Sequence, residues 1–417
     1  MRVLMYGWEF PPFFSGGLGT ACYGLTKGLS HLNVQVTFVM PSGPKGMQGE
    51  FVKLLIANNM ILDNIKFKKI DSLLTPYMTS GQYNEEYARF LREHGGTGGD
   101  PLYGRDIYQE VFRFAAKAAL IALHEEFDLI HCHDWMTYPA GIKTKELTGK
   151  PLVVHIHATE FDRTGGNGVN QFVYELEKEG FHKADLIIAN SNFIKDKLIR
   201  HYGVPPDKIR VVHNAVEFTQ KAFPNERFPI KSTDKVVLFL GRVTLQKGPD
   251  YFIEAAKKVL EKIPNVKFII AGTGDMLPRI IQRAAELGIS NKVLFPGFVS
   301  REEGDKLYRM ADLFVMPSVS EPFGIVPLEA MWCETPVIIS KQSGVSEVLS
   351  HCLKVDFWDI NELANQMIAL LHYSTLHKAL KDNGLQEVSK MNWDIPAQKC
   401  IDIYGELLTK KGIKVTA

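Results

Sequence analysis

Short apolar runs recur along this chain, closed by glycine or polar residues and separated by apolar positions three and four apart. Residues 2–6 read as a buried strand, and Ala21, Leu25 and Leu29 then repeat at helical spacing. Residues 34–40 predict a second strand. A helical stretch with Val111, Phe114, Ala115, Ala118 and Ile121 on one face follows, and then strands that close near His133, His157, Ser191 and His213. A second series opens at Val236-Val237-Leu238-Phe239-Leu240-Gly241 and continues through runs at 266–271, 293–297 and 337–339. This strand–turn–helix order predicts an α/β fold built on parallel sheets.

Between the two series the chain turns polar, through Pro229, Lys231 and Ser232, which is the composition of a linker. The expected organisation is one domain over 1–218, a second over 219–392, and a terminal helix over 393–417 carrying Ile395, Cys400, Ile403 and Leu407. Residues 76–105, rich in glycine, tyrosine and charge, predict a long irregular excursion, read as an acceptor-binding loop or lid.

Composition agrees and excludes some roles. A length of 417 residues exceeds the span of one hydrophobic core, so two domains fit. The net charge of +1 lacks the basic excess that a nucleic acid or anionic membrane demands. The cysteines, Cys22, Cys132, Cys333, Cys352 and Cys400, are scattered without a C-x-x-C, which suggests a reducing cytoplasm rather than a disulfide framework. No apolar run reaches the length of a signal peptide core or a membrane span.

The chemistry collects at a few turns. In Glu321-Pro322-Phe323-Gly324-Ile325-Val326-Pro327-Leu328-Glu329 two carboxylates flank a glycine, the first in a loop and the second inside a helix. Such a loop offers a carboxylate to sugar hydroxyls and backbone N–H groups to phosphates. Arg242 and Lys247, five apart beyond a strand end, could clamp a diphosphate, or simply form a solvated turn. Ser15-Gly16-Gly17-Leu18-Gly19 lies between strand and helix, where a pyrophosphate-binding turn and an ordinary tight turn read alike. There is no G-x-G-x-x-G, which argues against NAD. His131, His133, His155 and His157 close two strands where open sheets place ligands, but their spacing is not that of a metal site, and no metal is expected. By alternation, His131 and His155 also read as strand-face residues of the core.

With 311–318 before it and 335–340 after it, the Glu321–Glu329 stretch resembles the E-x7-E signature of retaining nucleotide-sugar glycosyltransferases. These have two Rossmann-like domains facing a cleft, the GT-B arrangement, and the resemblance extends over most of the chain. The nearest subfamily is glycogen and starch synthase. The resemblance implies transfer of glucose from ADP-glucose or UDP-glucose to an α-1,4-glucan, with retention and without metal or other cofactor. It puts Arg242 and Lys247 at the pyrophosphate, Glu321 at the donor sugar and Glu329 at the ribose. Gly16, Gly17, Phe298, Val299, Phe323, Gly324 and Ile325 complete the implied donor site, with Phe298 near the base or, on the plainer reading, in the core. His157 would support the oxocarbenium-like sugar, Asp134 and Trp135 would meet the acceptor, and the terminal helix would cross back to the first domain. Residues 344–347 would close the last turn of the site. Where that family reads K-T-G-G-L, Phe14 and Ser15 stand here, so the family's lysine contact is absent. A small sugar or lipid acceptor is the main alternative. A sugar-nucleotide 2-epimerase shares the two-domain fold, and a non-catalytic sensor is a further rival against which Glu321, Arg242 and Lys247 speak.

Overall fold

A computed structural model describes residues 1–11, 17–43, 49–57, 107–166, 168–216 and 234–413. Two parallel sheets organise them. The first has seven strands in the order β3-β2-β1-β4-β5-β6-β7, with β1 Arg2–Tyr6, β2 Gln35–Met40, β3 Lys53–Ile56, β4 Leu129–His133, β5 Leu152–Ile156, β6 Leu186–Ala189 and β7 Ile209–Val211. The second has six in the order β10-β9-β8-β11-β12-β13, with β8 Lys235–Leu240, β9 Val266–Ala271, β10 Val293–Gly297, β11 Leu313–Met316, β12 Val337–Ser340 and β13 Leu353–Val355. Central strands such as β5 are buried along their whole length, because helices cover both faces of a parallel sheet.

Alternation along the strands feeds two core layers in the first domain. Leu4, Tyr6, Ile130, Cys132, Val154 and Ile156 pack on one side. Val3, Met5, Leu129 and Val153 pack on the other, together with Trp393, Cys400, Tyr404 and Leu407. The helix Asp394–Lys410 therefore lies on the first sheet, beside the helix Gly17–His31. Close approach is possible because small residues face it: a Cβ at Gly24 would sit 2.2 Å from the Trp393 ring, and one at Gly28 would sit 2.5 Å from the Trp393 carbonyl oxygen.

In each sheet the order reverses beside the first strand, between β1 and β4 and between β8 and β11. Crevices open outside the carboxyl ends of strands at such reversals. The turns after β4, β8 and β11 hold most of the predicted site residues. Among the described residues, no helix is long and apolar enough to cross a membrane.

Candidate active site

Because β8 pairs with β11, the turns that leave them are neighbours, and these bring together two residues 74 apart in sequence. The chain leaves β8 through Arg242, makes a 3₁₀ turn at Leu245–Lys247, and reverses at Gly248, whose φ of 65° suits glycine. A Cβ there would meet the Pro317 carbonyl oxygen at 2.2 Å, so the turn lies against the end of β11. The Lys247 ammonium forms a salt bridge with the Glu321 carboxylate, and the side chains are 19% and 8% exposed. Glu321 is fixed through its backbone: its N–H donates to the Gln342 carbonyl at 3.0 Å and its carbonyl accepts from Gly344 N–H at 2.9 Å. Arg242 is exposed and donates to Gln246 Oε1 at 3.0 Å. The turn thus carries two cations, Lys247 paired with the carboxylate and Arg242 bonded to Gln246.

Gly324 has a φ of 99°, and a Cβ there would press on Glu321 Cγ at 3.1 Å, so both conformation and space call for glycine. The Phe323 side chain is core, and Ile325 immediately precedes the helix Val326–Trp332. Within that helix Glu329 accepts a hydrogen bond from the Tyr308 hydroxyl at 3.0 Å. Burial raises the Glu329 carboxyl above its ordinary range, against the pull of Tyr308. Phe298 is 77% exposed, which rules out the core reading and leaves the ring free to stack. Val299 instead packs against a second-domain core cluster that includes Leu238, Phe314 and Leu328.

The first domain supplies different groups. Asp134 adopts a φ of 60°, uncommon for a residue with a side chain, and its Oδ1 accepts from His157 N–H at 2.7 Å and from Ala158 N–H at 3.4 Å. Burial pushes its carboxyl up to about 6 against the pull of Arg163 and these amides. Trp135 packs in the first core layer at 7% exposure, and Asp134 holds the end of β5. Burial pushes His157 down to about 3, which makes its imidazole neutral at physiological pH. Its Nε2 lies 2.9 Å from His133 Nδ1, and its carbonyl accepts from Asn190 Nδ2 at 3.0 Å. His131 and His155 lie in the core, as alternation predicts. Gly17 is exposed at the start of its helix, and no described residue lies within 4 Å of where a Cβ would go. Gly16, Phe14, Ser15 and residues 76–105 lie outside the described residues.

The two halves meet at the residues flanking Glu321. On one side, Ser320 Oγ donates to Asp162 Oδ1 at 2.5 Å, and Lys197 forms a salt bridge with the same carboxylate. On the other, Ser191 Oγ donates to the Pro322 carbonyl at 2.6 Å, and a Cβ on Gly344 would strike Ser191 Cβ at 2.6 Å. Glu321 is thus braced from the first domain through both of its chain neighbours.

Comparison with known proteins decides the family. Residues 221–387 match the family model described as "Glycosyl transferases group 1", and residues 15–220 match that of Glycosyltransferase Family 4. This chain is a group 1 glycosyltransferase. An uncharacterized glycosyltransferase of Methanocaldococcus jannaschii is 28% identical over 97% of this chain and 98% of its own. The D-inositol 3-phosphate glycosyltransferase of Mycobacteroides abscessus is 32% identical over 59% of each chain. Among solved structures, sucrose-phosphate synthase from Thermosynechococcus elongatus superposes with a TM-score of 0.71 at 18% identity, covering 98% of this chain and 99% of that one. The Anabaena HepE protein in complex with UDP and glucose superposes at 0.68 and 19% identity, covering 97% and 100%. The fold of this glycosyltransferase is GT-B.

Several residues of the glycosyltransferase escaped the sequence reading. Thr159 and Asp162 form a reciprocal cap on the helix Glu160–Arg163, a pattern the T-x-x-D spacing signals, but the reach of Asp162 to Ser320 has no local signature. Glu347 closes more than the last turn of its own domain. It accepts from Asn192 N–H at 2.9 Å and Phe193 N–H at 2.8 Å, capping the first-domain helix Asn192–Tyr202, and it lies 2.8 Å from His213 Nε2. Burial opposes its ionisation, yet His213 and these donors hold its carboxyl below the ordinary range.

Proposed function

We propose that this glycosyltransferase moves glucose from a nucleoside diphosphate glucose to a sugar hydroxyl with retention of configuration. The pairing of Lys247 with Glu321 on a turn that also carries Arg242 supports this reading most directly. The diphosphate must leave as an anion, and the two cations beyond β8 would meet that charge as it grows. Glu321 would hold sugar hydroxyls, Glu329 the ribose and Phe298 the base. Neutral His157 would support the reacting sugar as a polar group without adding positive charge beside an oxocarbenium-like centre. An α-1,4-glucan, as glycogen and starch synthases use, is the acceptor on our first reading, with ADP-glucose or UDP-glucose as donor. A small phosphorylated polyol or sugar is the second. Similarity to D-inositol 3-phosphate glycosyltransferases favours it, as do Phe14 and Ser15 standing where the glucan-forming family has Lys and Thr.

The deciding experiment incubates the protein with ADP-glucose or UDP-glucose and, in separate reactions, glycogen, maltooligosaccharides, inositol phosphate and fructose 6-phosphate, following nucleoside diphosphate release. Release that depends on glycogen supports the first reading, and release that depends on a small phosphorylated acceptor replaces it with the second. No acceptor-dependent release from any nucleotide-sugar overturns both. Proton NMR of the product is expected to show an α-linkage from an α-donor; a β-linkage would refute retention.

Transfer is also expected to proceed without added Mg²⁺ or Mn²⁺, since Arg242 and Lys247 take the place of a hard cation at the diphosphate. Initial rates with and without these ions check it. A rate that requires either one would show that the two side chains do not suffice.

A further inference from the structure

Four imidazoles lie side by side on one face of β4 and β5, and the proposed chemistry uses only one of them. His131, His133, His155 and His157 are each 7% exposed or less, and neighbouring ring centroids are 4.4–5.4 Å apart. Strand pairing makes the cluster: His133 lies opposite His155 in the parallel register, two residues after His131 and two before His157. Spacing along the chain does not reveal this proximity.

Hydrogen bonding divides the ring nitrogens into two kinds. His131 Nδ1 lies 2.5 Å from the Tyr404 hydroxyl, and His133 Nδ1 lies 2.9 Å from His157 Nε2. His131 Nε2, His133 Nε2 and both ring nitrogens of His155 have no hydrogen-bond partner among the described residues. A buried polar atom left in this state is costly, and here four such atoms cluster. One nitrogen from each of His131, His133 and His155 can be chosen so that all lie within 4.8 Å of one another. In metal-binding histidines one ring nitrogen faces the ion and the other is fixed by a hydrogen bond, which is the state of His131 and His133.

We propose that His131, His133 and His155 form a buried site for a borderline transition-metal cation of the zinc class. Three imidazoles suit Zn²⁺, Co²⁺, Ni²⁺ or Cu²⁺, whereas Mg²⁺ and Ca²⁺ prefer oxygen. Metal–nitrogen bonds of about 2.0–2.1 Å require the nitrogens to draw together to roughly 3.4 Å, which side-chain rotation can supply. The role is structural. With Nε2 on the cation, His133 keeps its proton on Nδ1 and donates it to His157 Nε2, fixing the tautomer of a residue at the end of β5. The site reaches the transfer reaction only through His157, and it is separate from the diphosphate, where no hard cation is expected to be needed.

The test uses the full-length protein without a histidine tag, stripped with chelator and titrated with Co²⁺ and then Zn²⁺. One equivalent of Co²⁺ per chain should give ligand-field absorption that Zn²⁺ abolishes, and Zn²⁺ but not Mg²⁺ should raise the thermal midpoint. Tyr404→Phe removes the partner of His131 Nδ1 and should weaken Zn²⁺ binding about 10–100-fold. His155→Gln should lose the Co²⁺ absorption, while His351→Gln on the surface should keep it. Absence of both the absorption and the zinc-dependent stabilisation in the unsubstituted protein overturns the proposal, as does unchanged binding in folded His155→Gln. If His155→Gln does not fold, Tyr404→Phe decides, and unchanged affinity there refutes the site.

Discussion

Lys247→Ala should lower kcat by about 10²–10³-fold, or roughly 2.7–4 kcal/mol, with a smaller change in the KM for donor. The cation lies beside Glu321 beyond β8, and the charge it would meet grows only as the sugar–phosphate bond breaks. An interaction stronger in the transition state than in the ground state appears in kcat. Because Lys247 also neutralises Glu321, its loss leaves that carboxylate without its cation. Lys247→Arg keeps a charge there and should recover part of the rate. Glu329 should behave differently, since a ribose contact is the same before and during reaction. Glu329→Ala, made with Tyr308→Phe so that no buried hydroxyl is stranded, should raise donor KM by about tenfold or more, on the order of 1.5–3 kcal/mol, and leave kcat nearly unchanged. Steady-state kinetics with varied donor separates these patterns. A Lys247→Ala effect confined to KM, or loss of turnover at saturating donor in the Glu329 variant with its fold intact, would show the roles to be wrongly assigned.

The reasons some of this was legible in the sequence are physical. β5 and β12 announce themselves as apolar runs because both faces of a parallel sheet are covered. The strands β3 and β13 were missed: each is three or four residues long, partly exposed and at a sheet edge, and an apolar run as short as Leu54-Leu55-Ile56-Ala57 does not by itself tell strand from helix. The proximity of Lys247 to Glu321 depends on β11 pairing with β8 after β9 and β10 have gone to the other side, a choice of strand order with no local mark. Family resemblance, rather than residue pattern, brought that pair to notice. The histidine cluster needed strand register, because its members are neighbours across the sheet and not along the chain.

Asp162→Asn should destabilise the protein by about 3–5 kcal/mol at neutral pH, the cost of removing one partner from a buried ion pair. The Asp162 side chain is fully buried and that of Lys197 is 15% exposed, so little solvent screens the charge left behind. Burial opposes ionisation of Asp162, but Lys197, Ser320 and Thr159 outweigh it and hold the carboxyl below its ordinary value of 3.8. A carboxyl with a depressed folded pKa contributes stability above its unfolded value and loses it as pH falls through the folded value. The deficit of Asp162→Asn should therefore be full at neutral pH and shrink as acid protonates the carboxylate of the unsubstituted protein. Lys197→Met in the same background should restore part of the loss, because no unpaired cation then remains buried. Since Ser320 Oγ also donates to Asp162, the substitution loosens the residue preceding Glu321, and kcat should fall along with stability. Denaturant titration of the single and double variants at neutral and acid pH makes the comparison. An unchanged midpoint in Asp162→Asn, or a deficit that persists undiminished in acid, would mean that this contact does not brace Glu321 between the two domains.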